Sequence, residues 1–427
     1  MAEEIIIKGF WWLPNSLARI PGILTYKPFT KLVLELFGNL EVGSDPIEKI
    51  NTIQQYDLIH GISSNGKKIS VIYCINISSS ISSNSPFAIK QYQGQFLIIG
   101  KHILDINEKC YNRSVVKIPQ LYSWCRSNNI KHSVENGLLT YSYNLGNLDT
   151  IAETNINKNL NILIKSGVDN SVKHSDGGMK FSLREYSYIE FRCKNTSLQE
   201  IYKYIRFYEQ FLSLATLSYI QCSNITLYDS NINEYTNEVE KQIQYIYVQN
   251  KEKEILNSDK YSPLFTYEQI KDIYPQILIK WYEESEKFSP IRGHLIECIK
   301  YKATFTELDF LIVIQAIEGF YYRFIKDGEN LSTVLTNLIN KFSDIDIIRN
   351  NEINVQASVD SRHYYSHFMP EGKKKHVLNS KYLFFETYNL RILLVCCALD
   401  FIGLNHQKID LLLNATNNSI IKNRYLK

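Results

Sequence analysis

The sequence has no C-x-x-C pair and no Cys/His quartet with the spacing of a zinc finger. Its eight cysteines stand singly along the chain, apart from the adjacent Cys396 and Cys397. Because a structural zinc site needs clustered thiolate or imidazole ligands, these spacings exclude a zinc finger. We expect free, buried thiols in the reducing environment of the cytoplasm.

The chain also has little net charge. With 47 basic and 44 acidic residues, its formal charge is +3 at pH 7. A nearly neutral protein does not attract nucleic acid through its overall field. Any RNA binding therefore needs a local basic surface, because contacts to the phosphate backbone depend on Lys and Arg.

Signals for a membrane or for secretion are lacking as well. Residues 1–4 are acidic where a secretory signal would be basic. The most apolar run, residues 392–399, lies between Arg391 and Asp400 and is too short to span a bilayer. We find no internal repeat, and we expect a cytoplasmic protein with no membrane partner.

What is present is enough apolar sequence for sizeable cores, with 44% hydrophobic and 21% charged residues in 427. This length favours two or three domains. The segment 230–260 is polar and carries two charge runs, which are typical of a solvated face or a linker. We place a boundary at 255–262, which divides the chain into regions 1–255 and 256–427.

The first region is predicted to be mostly antiparallel β-structure up to about residue 195, as a sandwich or distorted barrel. Asn65-Gly66 between two β-prone runs is a strong hairpin signal. The pattern stays mostly β over residues 115–125, and the Ser-rich stretch 78–85 is expected to be a loop. At residue 196 the period becomes helical, and Ser197 with Glu200 suggests a helix start. A short β-like piece follows at 225–228.

The second region is predicted to be a bundle of four or five helices in about 165 residues. Long helices are expected at 308–325, 331–339, 353–368 and 382–404, where apolar residues recur with helical spacing. The predicted fold class is therefore α+β and multidomain, with a β-rich N-terminal region followed by an all-α bundle.

One stretch in this bundle combines residue types that can cleave RNA without a metal. Arg362 is a permanent cation suited to phosphate oxygens, and His367, five residues later, can transfer a proton near neutral pH. The general pattern, an arginine followed by a histidine after four to six residues, also occurs at Arg126 and His132, in a region that does not look like a nuclease core. Context, not spacing, favours the first pair.

Helix geometry constrains how this pair could work. An offset of five residues is about 500° on an ideal helix and leaves the two side chains about 140° apart. Arg362 and His367 therefore share a face poorly, so either Arg362 sits at a helix end or the working site is built from two copies of the chain.

His363 and His367 are four residues apart and do share a helical face. That spacing could bind a metal, which would make a metallohydrolase a third candidate. No Glu lies between them and no third ligand is evident in the sequence. We expect no metal and no cofactor, and expect His363 to orient the site or contact phosphate.

Two sets of residues resemble a known family. The stretch Arg362-His363-Tyr364-Tyr365-Ser366-His367 resembles the Arg-x4-6-His motif of HEPN ribonuclease domains, in particular the Arg-Asn-Tyr-Tyr-Thr-His of the ApeA-like branch. The N-terminal Gly9-Phe10-Trp11-Trp12-Leu13-Pro14, followed by Ile20-Pro21-Gly22-Ile23-Leu24-Thr25, resembles the N-terminal domain of ApeA anti-phage proteins. His363 and Ser366 replace the commoner Asn and Thr, and both keep hydrogen-bonding capacity. The likeness covers most of the chain and is weakest in its middle.

The resemblance implies a HEPN-type endoribonuclease that is metal-independent, dimeric and used in abortive infection. Cleavage of host RNA, with transfer RNA as the class suggested by analogy, would use the 2′-hydroxyl and leave a 2′,3′-cyclic phosphate. His367 would act as general base or acid, and Arg362 would hold the scissile phosphate. The phage trigger is not implied. The alternative is a non-catalytic nucleotide-binding or interaction module.

Further residues have two interpretations each. Glu318 either orients Arg362, as acidic residues in the corresponding helix do in related domains, or pairs with Arg323 or another local cation. Tyr364 and Tyr365 either stack on bases or belong to the core. Lys373, Lys374 and Lys375 either track the RNA backbone or form a flexible, solvated loop.

Overall fold

The computed structural model describes residues 3–41, 54–80, 88–126, 130–142, 150–175, 177–229, 242–249, 263–300, 305–370, 372–416 and 421. Within them a β-rich N-terminal region precedes a helical C-terminal region, which confirms the predicted α+β class. Two clusters of buried apolar residues form the interior. One fills a small barrel near the N-terminus, and the larger one runs through the rest of the chain.

The first six strands close into a barrel. They are Ile5–Trp12 (β1), Ile20–Lys27 (β2), Lys31–Phe37 (β3), Gln55–Ser63 (β4), Lys68–Ser80 (β5) and Ile89–Gln93 (β6). Antiparallel pairing runs in the cyclic order β1-β2-β3-β6-β5-β4. Leu32, Leu34 and Leu36 of β3 are fully buried in the barrel because successive side chains of a strand point to opposite faces.

Strands β4 and β5 form the hairpin that Asn65-Gly66 predicted. Gly66 has a φ of +80°, a left-handed conformation that glycine adopts without a steric penalty, and the Ser63 amide donates to the Lys67 carbonyl oxygen at 3.0 Å. Strand β5 continues to Ser80, so the expected loop at 78–85 is wrong for its first three residues. Residues 81–85 lie outside the described part of the chain.

The remaining strands of the main sheet continue from β5 in the order β7-β15-β14-β8-β13-β12-β11. Their bounds are Phe96–Ile99 (β7), Tyr111–Lys117 (β8), Thr150–Asn157 (β11), Leu160–Ser175 (β12), Gly178–Thr196 (β13), Asn224–Asp229 (β14) and Gln242–Tyr247 (β15). Lys131–Glu135 (β9) and Leu138–Ser142 (β10) form a separate two-stranded sheet.

Two sequence predictions in this region need correction. The β-structure expected over 115–125 ends at Lys117, and Leu121–Cys125 (α1) is a short helix that buries Trp124. The segment 230–260, predicted to be a solvated face or linker, contains strand β15, whose alternate residues Ile243, Tyr245 and Tyr247 are buried. The two charge runs and the boundary at 255–262 lie outside the described residues, so the domain division stays a prediction.

The helix predicted after residue 196 is confirmed as Leu198–Thr216 (α2). The Ser197 hydroxyl accepts from the Glu200 amide, and the Glu200 carboxylate accepts from the Ser197 amide at 3.0 Å. This reciprocal capping box satisfies amide groups that have no partner within the first turn of a helix.

The helical region contains nine helices among residues 263–300, 305–370 and 372–416. They are Tyr267–Ile270 (α3), Tyr274–Glu283 (α4), Ser285–Ile299 (α5), Glu307–Phe324 (α6), Leu331–Lys341 (α7), Asp346–Asn350 (α8), Val355–His367 (α9), Ser380–Phe401 (α10) and His406–Ala415 (α11). The four predicted long helices are α6, α7, α9 and α10, with ends that differ by no more than three residues. The expected total of four or five was too low, because the described residues also form α5, with 15 residues, and the shorter helices α3, α4, α8 and α11.

Helix α10 is the core helix of this region. By length and composition alone, Lys381–Phe401 could cross a membrane, with a mean hydropathy of 1.4, but 78% of that stretch is buried inside the protein. Burial against α5, α6, α8 and α11 accounts for its apolar sequence without a membrane.

The β-rich and helical regions share one apolar interior. The Trp124 indole donates to the Phe265 carbonyl oxygen, and the Trp281 indole donates to the Phe207 carbonyl oxygen, both at 2.8 Å. Each bond joins a residue before 217 to one after 263, so helices α3 and α4 pack on the N-terminal region.

Candidate active site

Helix α9 carries the Arg/His stretch and is held firmly at its N-terminal end. The Asn354 side chain caps the helix by accepting from the Ala357 amide at 3.0 Å. One turn later the buried Ser358 hydroxyl donates to Glu386 Oε1 of α10 at 2.5 Å. Burial raises the pKa of Glu386, and these contacts fix the position of α9 against the core helix.

Arg362 faces the middle of helix α6. Its Nη2 atom lies 3.7 Å from Glu318 Oε2, with side chains that are 31% and 13% exposed, respectively. Burial raises the pKa of Glu318, and the nearby Arg362 guanidinium opposes that rise. This contact is the one expected if Glu318 orients Arg362. The alternative was that Glu318 pairs with Arg323.

His363 and His367 lie on another face of α9. Their rings are nearly parallel, with centroids 6.1 Å apart and an interplanar angle of 22°. Burial lowers the pKa of His363, and the positive charges of Lys374 and Arg362 lower it further. His363 Nδ1 is buried and has no hydrogen-bond partner among the described residues. His367 is exposed at the last residue of the helix.

The expected separation of Arg362 from His367 is visible in these contacts. Arg362 pairs with α6, whereas His367 stacks along the solvent-facing side with His363. Within the described part of the chain, the two side chains make no direct contact. The side chains of Arg362 and His367 therefore point in adjacent but different directions.

The end of α9 has an unusual backbone. Phe368 follows His367 in the left-handed region, with φ 50° and ψ 45°, and its amide donates to the Tyr364 carbonyl oxygen. Its side chain is 93% exposed. A left-handed residue ends a helix well, but glycine is the residue that normally does so.

The two tyrosines of the stretch differ in their surroundings. The Tyr365 hydroxyl donates to the Leu378 carbonyl oxygen at 2.7 Å, and its ring packs edge-on to Phe310 of α6. Tyr364 is half-buried and meets the Tyr365 ring edge-on at 5.1 Å. Tyr365 thus packs as a core residue, while part of Tyr364 remains accessible.

The lysine segment lies beside the same helix. Lys374 Nζ is 3.6 Å from Asp360 Oδ1, and Lys373 and Lys375 are exposed. No motif in the sequence distinguishes Asp360, although its position three residues before His363 places both on one helical face.

No group of three or more His, Cys, Asp or Glu residues in the described part of the chain could hold a metal ion. His363 and His367 therefore have no third ligand there. A metallohydrolase has no support from this geometry.

Comparison with known proteins identifies two family models along the chain. Residues 6–281 match the model described as ApeA N-terminal domain 1, and residues 311–408 match that of the Apea-like HEPN domain. No curated protein and no solved structure matches significantly. Arg362, His367 and Glu318 lie within the second match, whereas the chance pair Arg126 and His132 lies within the first.

Proposed function

We propose that this chain, which belongs to the ApeA family of anti-phage proteins with a C-terminal HEPN domain, is an endoribonuclease that cleaves host RNA in abortive infection. The HEPN match supports a nuclease-type defence protein. The observation that carries the proposal is the pairing of Arg362 with Glu318 at 3.7 Å, next to two stacked histidines on the same helix.

The residues suit cleavage through the RNA's own 2′-hydroxyl. His367 accepts the 2′-hydroxyl proton, or donates a proton to the leaving 5′-oxygen, and a water molecule makes the other of these two proton transfers. The 2′-oxygen forms a bond to phosphorus as the bond to the 5′-oxygen breaks, which leaves a 2′,3′-cyclic phosphate and a 5′-hydroxyl. Arg362, oriented by Glu318, stabilises the charge on the phosphoryl oxygens. His363 contacts phosphate or orients the site, and no step requires a metal.

Substrate contacts are assigned to groups around α9. Lys373, Lys374 and Lys375 supply the local basic surface that a nearly neutral chain needs for RNA. The accessible part of Tyr364 is available to stack on a base, whereas Tyr365 is committed to the core. Transfer RNA is the candidate substrate class, and the cytoplasm is the proposed location.

The proposed active form is a homodimer through the HEPN domain. Because Arg362 and His367 of one protomer point in different directions, a cleft shared by two copies of α9 would bring an arginine and a histidine to one phosphate. We expect active protein to sediment as a dimer. Cleavage at full rate by a monomer would contradict this arrangement.

The test is incubation of purified protein with total bacterial RNA in EDTA, with wild type beside His367→Ala, followed by chemical mapping of fragment ends. We expect cyclic-phosphate ends with wild type and none with the variant, because the variant lacks the proton-transfer group. Loss of cleavage on adding EDTA would contradict a metal-independent mechanism. Intact RNA calls for the same assay in phage-infected lysate, which supplies a trigger.

The second candidate is a non-catalytic module whose motif residues only bind phosphate. The accessible, basic surface beside α9 is the observation in its favour. In cells, Arg362→Ala and His367→Ala should abolish toxicity if the protein is a ribonuclease, and should leave it unchanged if it is a binding module.

A further inference from the structure

The segment that follows α9 folds back along that helix and is held there at two points. The Leu378 amide donates to Ser361 Oγ at 2.8 Å, while the Tyr365 hydroxyl donates to the Leu378 carbonyl oxygen. Two residues earlier, the His376 amide donates to Asp360 Oδ2 at 3.3 Å. These bonds reach the segment from successive turns of α9, so it has a defined path beside the site.

Of the α9 residues that bind this segment, Asp360 is a charged group with only 5% of its surface exposed, so its burial has to be compensated by other groups. Burial of a carboxylate is unfavourable unless cations and hydrogen-bond donors surround it. Its Oδ1 atom accepts from Gln356 Nε2 at 3.2 Å and lies 3.6 Å from Lys374 Nζ. Lys374 is the cation that balances this buried charge.

Lys374 has a fixed ion-pair partner, Asp360, and differs in this from Lys373 and Lys375. Its side chain is 30% exposed and paired, and it lies close enough to His363 to lower the pKa of that imidazole. Lys373 and Lys375 are exposed, and neither makes an ion pair with any residue that the structure describes. Only one of the three ammonium groups therefore has a fixed position next to the catalytic helix.

We infer that Asp360 is a positioning residue, which holds Lys374 beside His363 and Arg362 so that its ammonium contacts an RNA phosphate. The inference rests on the proposed ribonuclease function and deepens it by selecting one lysine from three. A point cation next to His363 would bind a phosphate adjacent to the one being cleaved. Such a contact adds affinity without reading sequence, because phosphates are the same at every position.

The first experiment measures RNA binding separately from cleavage. Fluorescence anisotropy with a labelled RNA hairpin is recorded in the His367→Ala background over a range of salt concentrations. Adding Lys374→Met should weaken binding about 5- to 10-fold and reduce the slope of log K against log salt by about 0.7 to 1, the effect of one lost phosphate contact. Lys373→Met and Lys375→Met are the comparison variants: they remove exposed ammonium groups of the same basic surface that have no fixed position, so each should change both quantities less than Lys374→Met does. Lys374→Arg, which keeps the cation, should retain binding.

A double-mutant cycle then tests whether Asp360 acts through Lys374. Asp360→Asn keeps the size of the side chain and one acceptor oxygen, for either the His376 amide or the Gln356 side chain, but loses the charge that holds the lysine. We expect it to weaken RNA binding, and we expect the double variant Asp360→Asn, Lys374→Met to bind no worse than Lys374→Met alone. Additive losses would mean that Asp360 supports the fold independently, and would overturn the inference.

A measurement without RNA checks the geometry itself. In histidine-labelled protein followed by NMR, Lys374→Met should raise the pKa of His363, because it removes a nearby positive charge. In the Lys374→Met background, Asp360→Asn should lower the pKa of His363, because it removes a negative charge when no lysine is left to be released. An unchanged pKa in both variants would overturn the placement of Lys374.

The outcomes separate this inference from the proposed function. Equal loss of RNA binding for all three lysine variants overturns the inference, as does the absence of any binding in the His367→Ala background. Binding that depends on Lys374, in a protein that cleaves no RNA with or without infected lysate, supports the lysine contact and contradicts the ribonuclease proposal.

Discussion

At the scale of single residues, the candidate site depends on how burial and charge balance at Glu318. The carboxyl group is mostly removed from water, which raises its pKa, and the nearby Arg362 guanidinium opposes that rise. Because Arg362 is also held by this contact, loss of the charge on Glu318 should free the guanidinium to move.

The first prediction follows from this pair. Glu318→Gln keeps the shape of the side chain but loses the charge, so Arg362 should be less well placed in the transition state. We expect kcat for RNA cleavage to fall about 10- to 100-fold, the range that follows from misplacing a catalytic group by about 1 Å. Glu307→Gln, at an exposed position in the first turn of the same helix, is the matched control. Similar kcat values for the two variants would contradict the orienting role.

At the scale of secondary-structure elements, helix α9 is fixed at both ends by different means. At its start, Asn354 accepts from the Ala357 amide, and Glu386 of α10 accepts from the Ser358 hydroxyl. At its end, a left-handed residue directly follows His367. A well-defined helix end matters here because the proposed proton-transfer group is the last helical residue. The left-handed residue is phenylalanine, although a Cβ atom makes that conformation unfavourable.

Phe368→Gly should therefore stabilise the protein. The side chain is 93% exposed, so little apolar burial is lost on its removal. Relief of left-handed strain, offset by the greater backbone freedom of glycine when unfolded, should raise the free energy of unfolding by about 0.5–1 kcal/mol. Urea denaturation would measure the change.

Phe368→Ala is the control for that prediction, because alanine removes the ring but retains Cβ. It should bring no such stabilisation. Equal unfolding free energies for the glycine and alanine variants would contradict the attribution to backbone strain.

At the scale of the whole molecule, the β-rich and helical regions are joined by buried aromatic contacts. Phe265 receives the Trp124 hydrogen bond, and the Tyr274 hydroxyl lies 2.9 Å from the hydroxyl of Tyr208 on α2. The N-terminal family match also continues to residue 281, through α3 and most of α4. Helices α3 and α4 thus complete the packing of the first region.

A truncation series tests this arrangement. Residues 1–255 would lack α3 and α4 and expose Trp124 and Phe211, whereas residues 1–284 would keep these helices. We expect the longer fragment to have the higher Tm and the shorter one to bind a hydrophobic dye, because fully burying one large apolar side chain is worth about 1.5–3 kcal/mol. Equal Tm values would favour a structural boundary at 255.

The sequence alone determined the α+β class, the Asn-Gly hairpin, the capping box at Ser197 and the four long helices. These depend on local patterns: residue period, turn chemistry and caps. It also placed Arg362 and His367 on one helix and, through the fixed turn of that helix, on different faces. The family match agrees with the resemblance carried by those residues.

Tertiary structure decided what local pattern could not. Strand β15 lies between charged segments, and its burial depends on pairing with the preceding strand β14 and with β7, which is distant in sequence. Glu318 could have paired with Arg323 or Arg362, and only the packing of α6 against α9 selects Arg362. The 374–378 segment folds back along α9, and this pairs Lys374 with Asp360 while Lys373 and Lys375 stay exposed. Each is a contact between residues far apart in the chain, and no local period or motif encodes such a contact.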